Sequence, residues 1–350
     1  MTASATLRDV GELIASGLAR DHSRTALAAV ARRYAIAITP EIAALINPND
    51  PHDPIALQFV PNPAELELRA DERADPIGDI AHSPVEGIVH RYPDRALLKL
   101  LHVCPVYCRF CFRRESVGPG KTPSLPATAL TAALGYIRDN AGIWEVILTG
   151  GDPFALSPRR LGFVMRELAN IAHVKVVRFH TRVPVVDPTR VTAELIAALK
   201  AFPRAVFVAL HANHPRELHP TARHACARLI DAGIPMVSQT VLLRGVNNDI
   251  ETLASLMRSF VELRIKPYYL HHADLAPGTS HLRTTIEEGR ALMRGLLGRV
   301  SGLAMPAYVL DIPGGYGKSP IGPDYLAKSA DRWQVTDYCG GQHAYPGDGV

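Results

Sequence analysis

Cysteine is scarce in this chain, and neither sign of charge dominates it. Among 350 residues there are five cysteines, and three of them fall within residues 104–111. An odd count clustered in this way excludes a disulfide framework and suits metal ligation in a reducing, cytoplasmic setting. The formal net charge is +4, with Lys and Arg scattered along the chain. Nucleic acid is therefore not an expected partner, and small anionic molecules fit better. Long apolar runs are missing too, since no window approaches about eighteen uncharged apolar residues. The opening MTASATLRDVGELIASGLARDHSR carries charge throughout, so neither a signal peptide nor a membrane anchor is expected. The remaining composition, 47% hydrophobic and 21% charged, is that of a folded chain with a sizeable core.

Along the chain, residues 6–47 read as two or three short helices, with Leu7, Val10, Leu13 and Ile14 at helical spacing and Pro40 opening a further turn. Residues 47–93 are rich in Pro and Asp and read as an extended arm with little core of its own. A regular alternation follows. Short apolar, β-branched runs occur at 95–102, 145–151, 174–180, 204–211, 234–243 and 265–272, separated by segments of helical periodicity. Repeated strand–helix units imply a parallel sheet, closed as a partial barrel or open and doubly wound. The chain divides on this reading into 1–93, a barrel over 94–305, and a C-terminal segment over 306–350. Polar residues and glycines gather at the strand ends, as in TGGD (149–152), HTR (180–182), His211, Gln239 and His271-His272. Ligands bind at that carboxyl edge in parallel α/β folds.

The stretch CPVYCRFC places Cys104, Cys108 and Cys111 at spacings of four and three. Three thiolates leave a tetrahedral zinc one ligand short, so zinc needs a distant histidine. They also suit a [4Fe–4S] cluster with one iron open, free to chelate a ligand and pass it an electron. The spacing C-x-x-x-C-x-aromatic-C is the signature of the radical S-adenosylmethionine enzymes. Resemblance to that superfamily implies a partial (β/α)6 barrel and S-adenosylmethionine on the open iron. It further implies that Gly150, Gly151 and Asp152 meet the methionine moiety, and that His211 and Gln239 are further contacts to that cofactor.

Near the other end the chain reads VLDIPGGYGKSP (309–320), a strand-like run entering a glycine loop that ends at Lys318. The spacing of a phosphate-binding P-loop fails, because Ile312 stands five residues before Gly317. A lysine held by closely approaching backbone can carry pyridoxal phosphate. Five blocks in one order, HRYPDRALLKLLHVCPVYCRFCFRR, HANHPRE, QTVLLRGVN, PYYLHHADLAPGTSHLRT and DIPGGYGKSP, resemble the lysine 2,3-aminomutases over about residues 47–325. That family combines the cluster and S-adenosylmethionine with pyridoxal 5′-phosphate and moves the α-amino group of lysine to the β-carbon.

The resemblance assigns Lys318 to pyridoxal phosphate, Arg113 to the substrate carboxylate, and Asp274 with Asp311 to the ε-ammonium group. Arg91 and Arg95 in HRYPDR become candidates for the cofactor phosphate or the carboxylate network. Two acids at the far end argue for a basic substrate, lysine first and arginine or ornithine behind it. The resemblance also implies an electron donor such as flavodoxin or ferredoxin, and a homo-oligomer. Longer family members have a cysteine-rich tail with a structural zinc; Cys339 and His343 are too few ligands, and none is expected here. Enzymes making β-lysine for modification of elongation factor P share the same core and are a rival reading. An iron–sulfur electron carrier or sensor is the non-enzymatic one, distinguished by the absence of pyridoxal absorbance.

Overall fold

The computed structural model describes residues 5–118, 120, 122–329 and 332–346. Nine strands form one sheet in strict sequence order: β1 (Ile88–Tyr92), β2 (Arg95–Leu101), β3 (Glu145–Gly150), β4 (Val176–Thr181), β5 (Ala205–His211), β6 (Met236–Leu242), β7 (Ile265–His272), β8 (Ala307–Ile312) and β9 (Gly317–Pro320). From β2 to β8 every pairing is parallel, while β1 and β9 run antiparallel at the two edges. The edges meet where the backbone N–H of Lys318 donates to the Tyr92 hydroxyl at 2.7 Å. The expected six strand–helix units are present, and the same sheet runs on past residue 305 to include the segment around Lys318.

Helices α1 (Val10–Ala15), α2 (Arg24–Arg33), α3 (Pro40–Leu45) and α4 (Ala56–Phe59) precede the sheet. Between strands lie α5 (Ala127–Asp139), α6 (Pro158–Ala169), α7 (Val183–Val186), α8 (Ala193–Leu199), α9 (Pro220–Asp231), α10 (Ile250–Glu262) and α11 (Ile286–Leu296). Their starts follow local chemistry. Ser157 and Asp249 accept from backbone N–H groups of α6 and α10, and Thr285 with Glu288 forms a capping box on α11. The longer helices bury one stripe, which on α10 includes Leu253, Ala254, Leu256, Met257 and Phe260. No helix among the described residues is long and apolar enough to cross a membrane.

Alternation along the strands sorts side chains onto two faces. In β2, Ala96, Leu98 and Leu100 are buried in the main core, while Arg95, Leu97 and Lys99 share the other face. Register carries that second face around the sheet: Lys99 pairs with Thr149, His180 with Ala209, His211 with Gln239, Val241 with His271, and Asp311 with Lys318. The barrel interior is therefore polar and ionisable, in contrast with the apolar layer under the helices.

Two segments differ from the sequence reading. The arm before β1 is pinned by buried carboxylates: Asp53 and Glu65 are fully buried, and Asp79 nearly so. Asp53 caps α4 through the N–H groups of Ile55 and Ala56 and pairs with Arg216 at 2.8 Å. At the other end β10 (Leu326–Ser329), β11 (Arg332–Thr336) and β12 (Gln342–Pro346) form a separate antiparallel meander. Its strands are short and largely exposed, which leaves little apolar alternation to read. Within it His343 pairs with Asp337 at 2.6 Å, and Cys339 is exposed.

Candidate active site

The loop after β2 carries the three clustered cysteines, and the arm clamps it from outside. Arg109 donates its backbone N–H to Gln58 O at 2.8 Å, and its buried guanidinium grips Glu65, with Nη2 at 2.5 Å from Oε2. Arg114 binds the same Glu65 carboxylate and stacks over Tyr34, 3.5 Å from the ring centroid. Two guanidinium groups on one buried carboxylate leave surplus positive charge beside the thiols. Breaking such a pair from one side costs about 3–5 kcal/mol, so Glu65 holds the loop shape.

Cys104, Cys108 and Cys111 line one cavity with Tyr34, Val106 and Tyr107. Burial raises all three thiols, Cys111 to about 11 with help from Cys108. Among the described residues no three His, Cys, Asp or Glu side chains converge as a single ion requires. A cluster places each cysteine on its own iron and does not need such convergence, so three thiols around one cavity fit a cluster better than a lone zinc. The neighbouring cations suit the negative charge of a thiolate-bound cluster.

At the end of β3 the glycines act first on the protein itself. Gly150 has φ of +106°, and a Cβ on Gly151 would lie 2.1 Å from Val103 O and 2.7 Å from Val103 N. The N–H of Gly151 donates to Leu101 O at 2.6 Å, and that of Asp152 to Val103 O at 3.1 Å. These residues therefore extend the β2–β3 pairing into the approach to Cys104. The Asp152 carboxylate accepts from Phe154 N–H at 3.0 Å, Thr181 Oγ1 at 2.6 Å and Arg182 N–H at 2.7 Å. Its side chain thereby shapes the loop. Since backbone cannot move aside as a flexible side chain does, Gly151→Ala is expected to cost about 3 kcal/mol in denaturant unfolding.

The remaining residues line the barrel interior. Arg113 donates to Asp79 Oδ2 at 2.9 Å and to Thr149 Oγ1 at 3.3 Å. Arg91 binds the other Asp79 oxygen at 3.1 Å and approaches Asp311 at 3.7 Å. Despite its burial, Asp79 is held below the usual carboxylate range by Arg113, Lys99 and Arg91. Lys318 Nζ lies 2.7 and 2.8 Å from the two oxygens of Asp311. His271 Nδ1 stands 3.8 Å from Asp311, and burial pushes this histidine down to about 3. Asp274 has no hydrogen bond or ion pair from its carboxylate among the described residues. Burial, then Asp311, pushes that carboxyl up to about 7. Buried nitrogens without partners face the same interior: Nε2 of His180, His211 and His271, and Nε of Arg91 and Arg113. Such orphans, with an amine at Lys318, fit a polar anionic ligand such as pyridoxal phosphate.

Sequence-derived candidates therefore separate. Arg91, Arg113, Asp311 and Lys318 meet in one network, with Asp274 close by, while His211 lies in register with Gln239. Arg95 stands one contact away: it pairs with Asp94 at 2.6 Å and stacks on Tyr92, which in turn holds the Lys318 backbone. Asp79, Glu65 and Lys99 were not singled out by sequence reasoning, and Arg182 and His271 were read only as members of the polar strand ends. The Pro- and Asp-rich arm was the available signal, since acids that enter a core need cations to meet them.

A barrel-like parallel sheet with three cysteines in the loop after its first parallel strand is the arrangement of a radical S-adenosylmethionine enzyme, and residues 98–257 match the Radical SAM superfamily. Residues 293–348 match the C-terminal family model described as Lysine-2,3-aminomutase. The chain is 40% identical over 306 residues to the L-lysine 2,3-aminomutase of Clostridium subterminale, covering 87% of this chain and 73% of that one. A putative L-lysine 2,3-aminomutase from Aquifex aeolicus is 39% identical over 84% of this chain and 80% of its own. The glutamate 2,3-aminomutase of Clostridioides difficile is 37% identical over 88% and 71%. The chain belongs to the lysine 2,3-aminomutase family. Radical SAM proteins hold a [4Fe–4S] cluster and S-adenosylmethionine, and lysine 2,3-aminomutases use pyridoxal phosphate.

Proposed function

We propose that this protein converts L-lysine to β-lysine, moving the amino group from the α- to the β-carbon. One observation carries the choice of substrate: Asp311 grips a primary ammonium, that of Lys318, through both oxygens, with the unbonded Asp274 beside it. Two carboxylates at that end suit a distal ammonium, whereas a glutamate side chain would meet like charge. Similarity to the glutamate enzyme is nearly as high as to the lysine enzymes, so pocket chemistry and not overall identity favours lysine.

When bound, the cluster with S-adenosylmethionine supplies a carbon radical able to remove an unactivated hydrogen, and pyridoxal phosphate supplies a π-system across which nitrogen can migrate. The protein's own part is placement. Cys104, Cys108 and Cys111 would hold the cluster, and Gly150, Gly151, His211 and Gln239 would border S-adenosylmethionine, with Asp152 shaping that edge. Lys318 would attach pyridoxal phosphate, with Arg91 or Arg95 on its phosphate. Arg113, oriented by Asp79, would take the substrate carboxylate through two parallel donors. Asp274 and Asp311 would hold the other end, fixing the β-hydrogen towards the radical source. Lys318 and the substrate ammonium are alternative partners of Asp311, so attachment of Lys318 elsewhere frees this carboxylate for substrate. A flavodoxin or ferredoxin as electron donor, a homo-oligomeric assembly and a cytoplasmic setting complete the proposal.

The reduced, reconstituted protein incubated with S-adenosylmethionine and L-lysine is expected to yield β-lysine, read by mass spectrometry and NMR. No turnover of lysine alongside conversion of arginine or ornithine would overturn the assignment. Affinity has a pH signature. Below about 7 the Asp274 carboxyl is protonated and loses its attraction for an ammonium. The Kd for L-lysine is therefore expected to rise about tenfold per unit as pH falls below 7, and to level off above it. His211 and His271, both depressed by burial to about 3, stay neutral throughout. Calorimetry in buffers of different ionisation heat should detect a proton released on binding near neutral pH.

A further inference from the structure

We propose that Arg182 tunes the reduction potential of the iron–sulfur cluster through a hydrogen bond to the sulfur of Cys108. Arg182 Nη1 lies 3.3 Å from Cys108 Sγ. Among the described residues, Cys108 alone receives a hydrogen bond from a charged side chain.

The guanidinium is held on several sides. Nη2 pairs with Glu217 Oε2 at 2.5 Å and donates to Gln58 Oε1 at 3.3 Å. The backbone N–H of Arg182 is fixed by Asp152, and its guanidinium lies 5.2 Å from the Phe59 ring centroid and 5.4 Å from that of Phe110. Glu217 is fully buried and positioned independently by the N–H groups of Asn213 at 2.8 Å and His214 at 2.9 Å. A buried ion pair can therefore be carried into the interior with its positive end directed at one sulfur.

Reduction adds an electron to the cluster, and the ligating sulfurs share the added negative charge. A cationic donor on a sulfur stabilises that reduced state more than the oxidised one, which raises the potential. Glu217 opposes this, so the structure assigns the two side chains contrary effects on the same couple. The inference rests on the cluster expected from family membership and is independent of which amino acid is the substrate.

The test is an EPR-monitored redox titration of reconstituted protein, with iron and sulfide content measured for each variant. Arg182→Gln combined with Glu217→Gln removes the hydrogen bond while keeping local charge balanced. Its midpoint is expected to move negative by a tenfold weaker hold on the electron, about 59 mV for a one-electron couple. Glu217→Gln alone keeps the Arg182 contact and removes the counter-anion, so its midpoint is expected to move positive. A cluster-loaded double variant that titrates with the wild type overturns the proposal. Should the double variant not take up a cluster, Glu217→Gln decides it, and an unchanged or negative shift there is equally fatal. Failure to make β-lysine would leave these potentials untouched, so the two readings fail separately.

Discussion

Lys318→Ala is expected to abolish the borohydride-reducible pyridoxal adduct and to lower turnover by on the order of a thousandfold or more. The amine is the primary amine that Asp311 grips in the barrel interior, and its backbone is tied to Tyr92 across the closing edge. Alanine keeps that backbone bond, since Tyr92 contacts the main chain, so the fold should persist. The discriminating measurement is the near-visible spectrum with peptide mapping after reduction. An adduct of undiminished yield in the variant would remove Lys318 from the proposed site. Loss of the adduct with retained cluster absorbance would separate this role from damage to the cysteine loop.

Asp311→Asn is expected to raise the KM for L-lysine by about 10- to 100-fold, the equivalent of roughly 1.5–3 kcal/mol for a charge-assisted bond. Asp311 meets three positively charged or polar neighbours, Lys318, Arg91 and His271. Removing its charge therefore also loosens Lys318 and should lower the yield of pyridoxal adduct. Asp274→Asn provides the contrast. Its carboxylate holds no partner among the described residues, so the variant should load pyridoxal phosphate normally while weakening lysine binding. It should also abolish the pH dependence of lysine affinity near 7. Steady-state kinetics with lysine, arginine and ornithine on both variants checks the pair. Equal KM values for lysine in wild type and both variants would refute the two-carboxylate subsite.

Much of the barrel was legible because its strands report themselves locally. A run such as IKPYYLHH becomes β7 over Ile265–His272, and alternation alone decides that Tyr269 and His271 share a face. Lys318 was found through its glycine loop and the family blocks around it. The meander of β10 to β12 was not legible: its strands are short, exposed and held by pairing to one another. Nor was the second constraint on Gly150 and Gly151. The family resemblance implied contact with the methionine moiety, and only the structure adds that the backbone of Val103 lies against Gly151.

By itself, then, the sequence determined what covalent neighbours can determine: three cysteines within eight residues, strand and helix periods, and the residue types gathered at strand ends. Only the tertiary structure decided how these groups are charged and held. Glu65 lies 44 residues from Arg109, Asp79 is 34 from Arg113, and Cys108 is 74 from Arg182. No local pattern encodes such pairings, because each is selected by the cost of burying an ion without its counter-ion once the chain has closed around it.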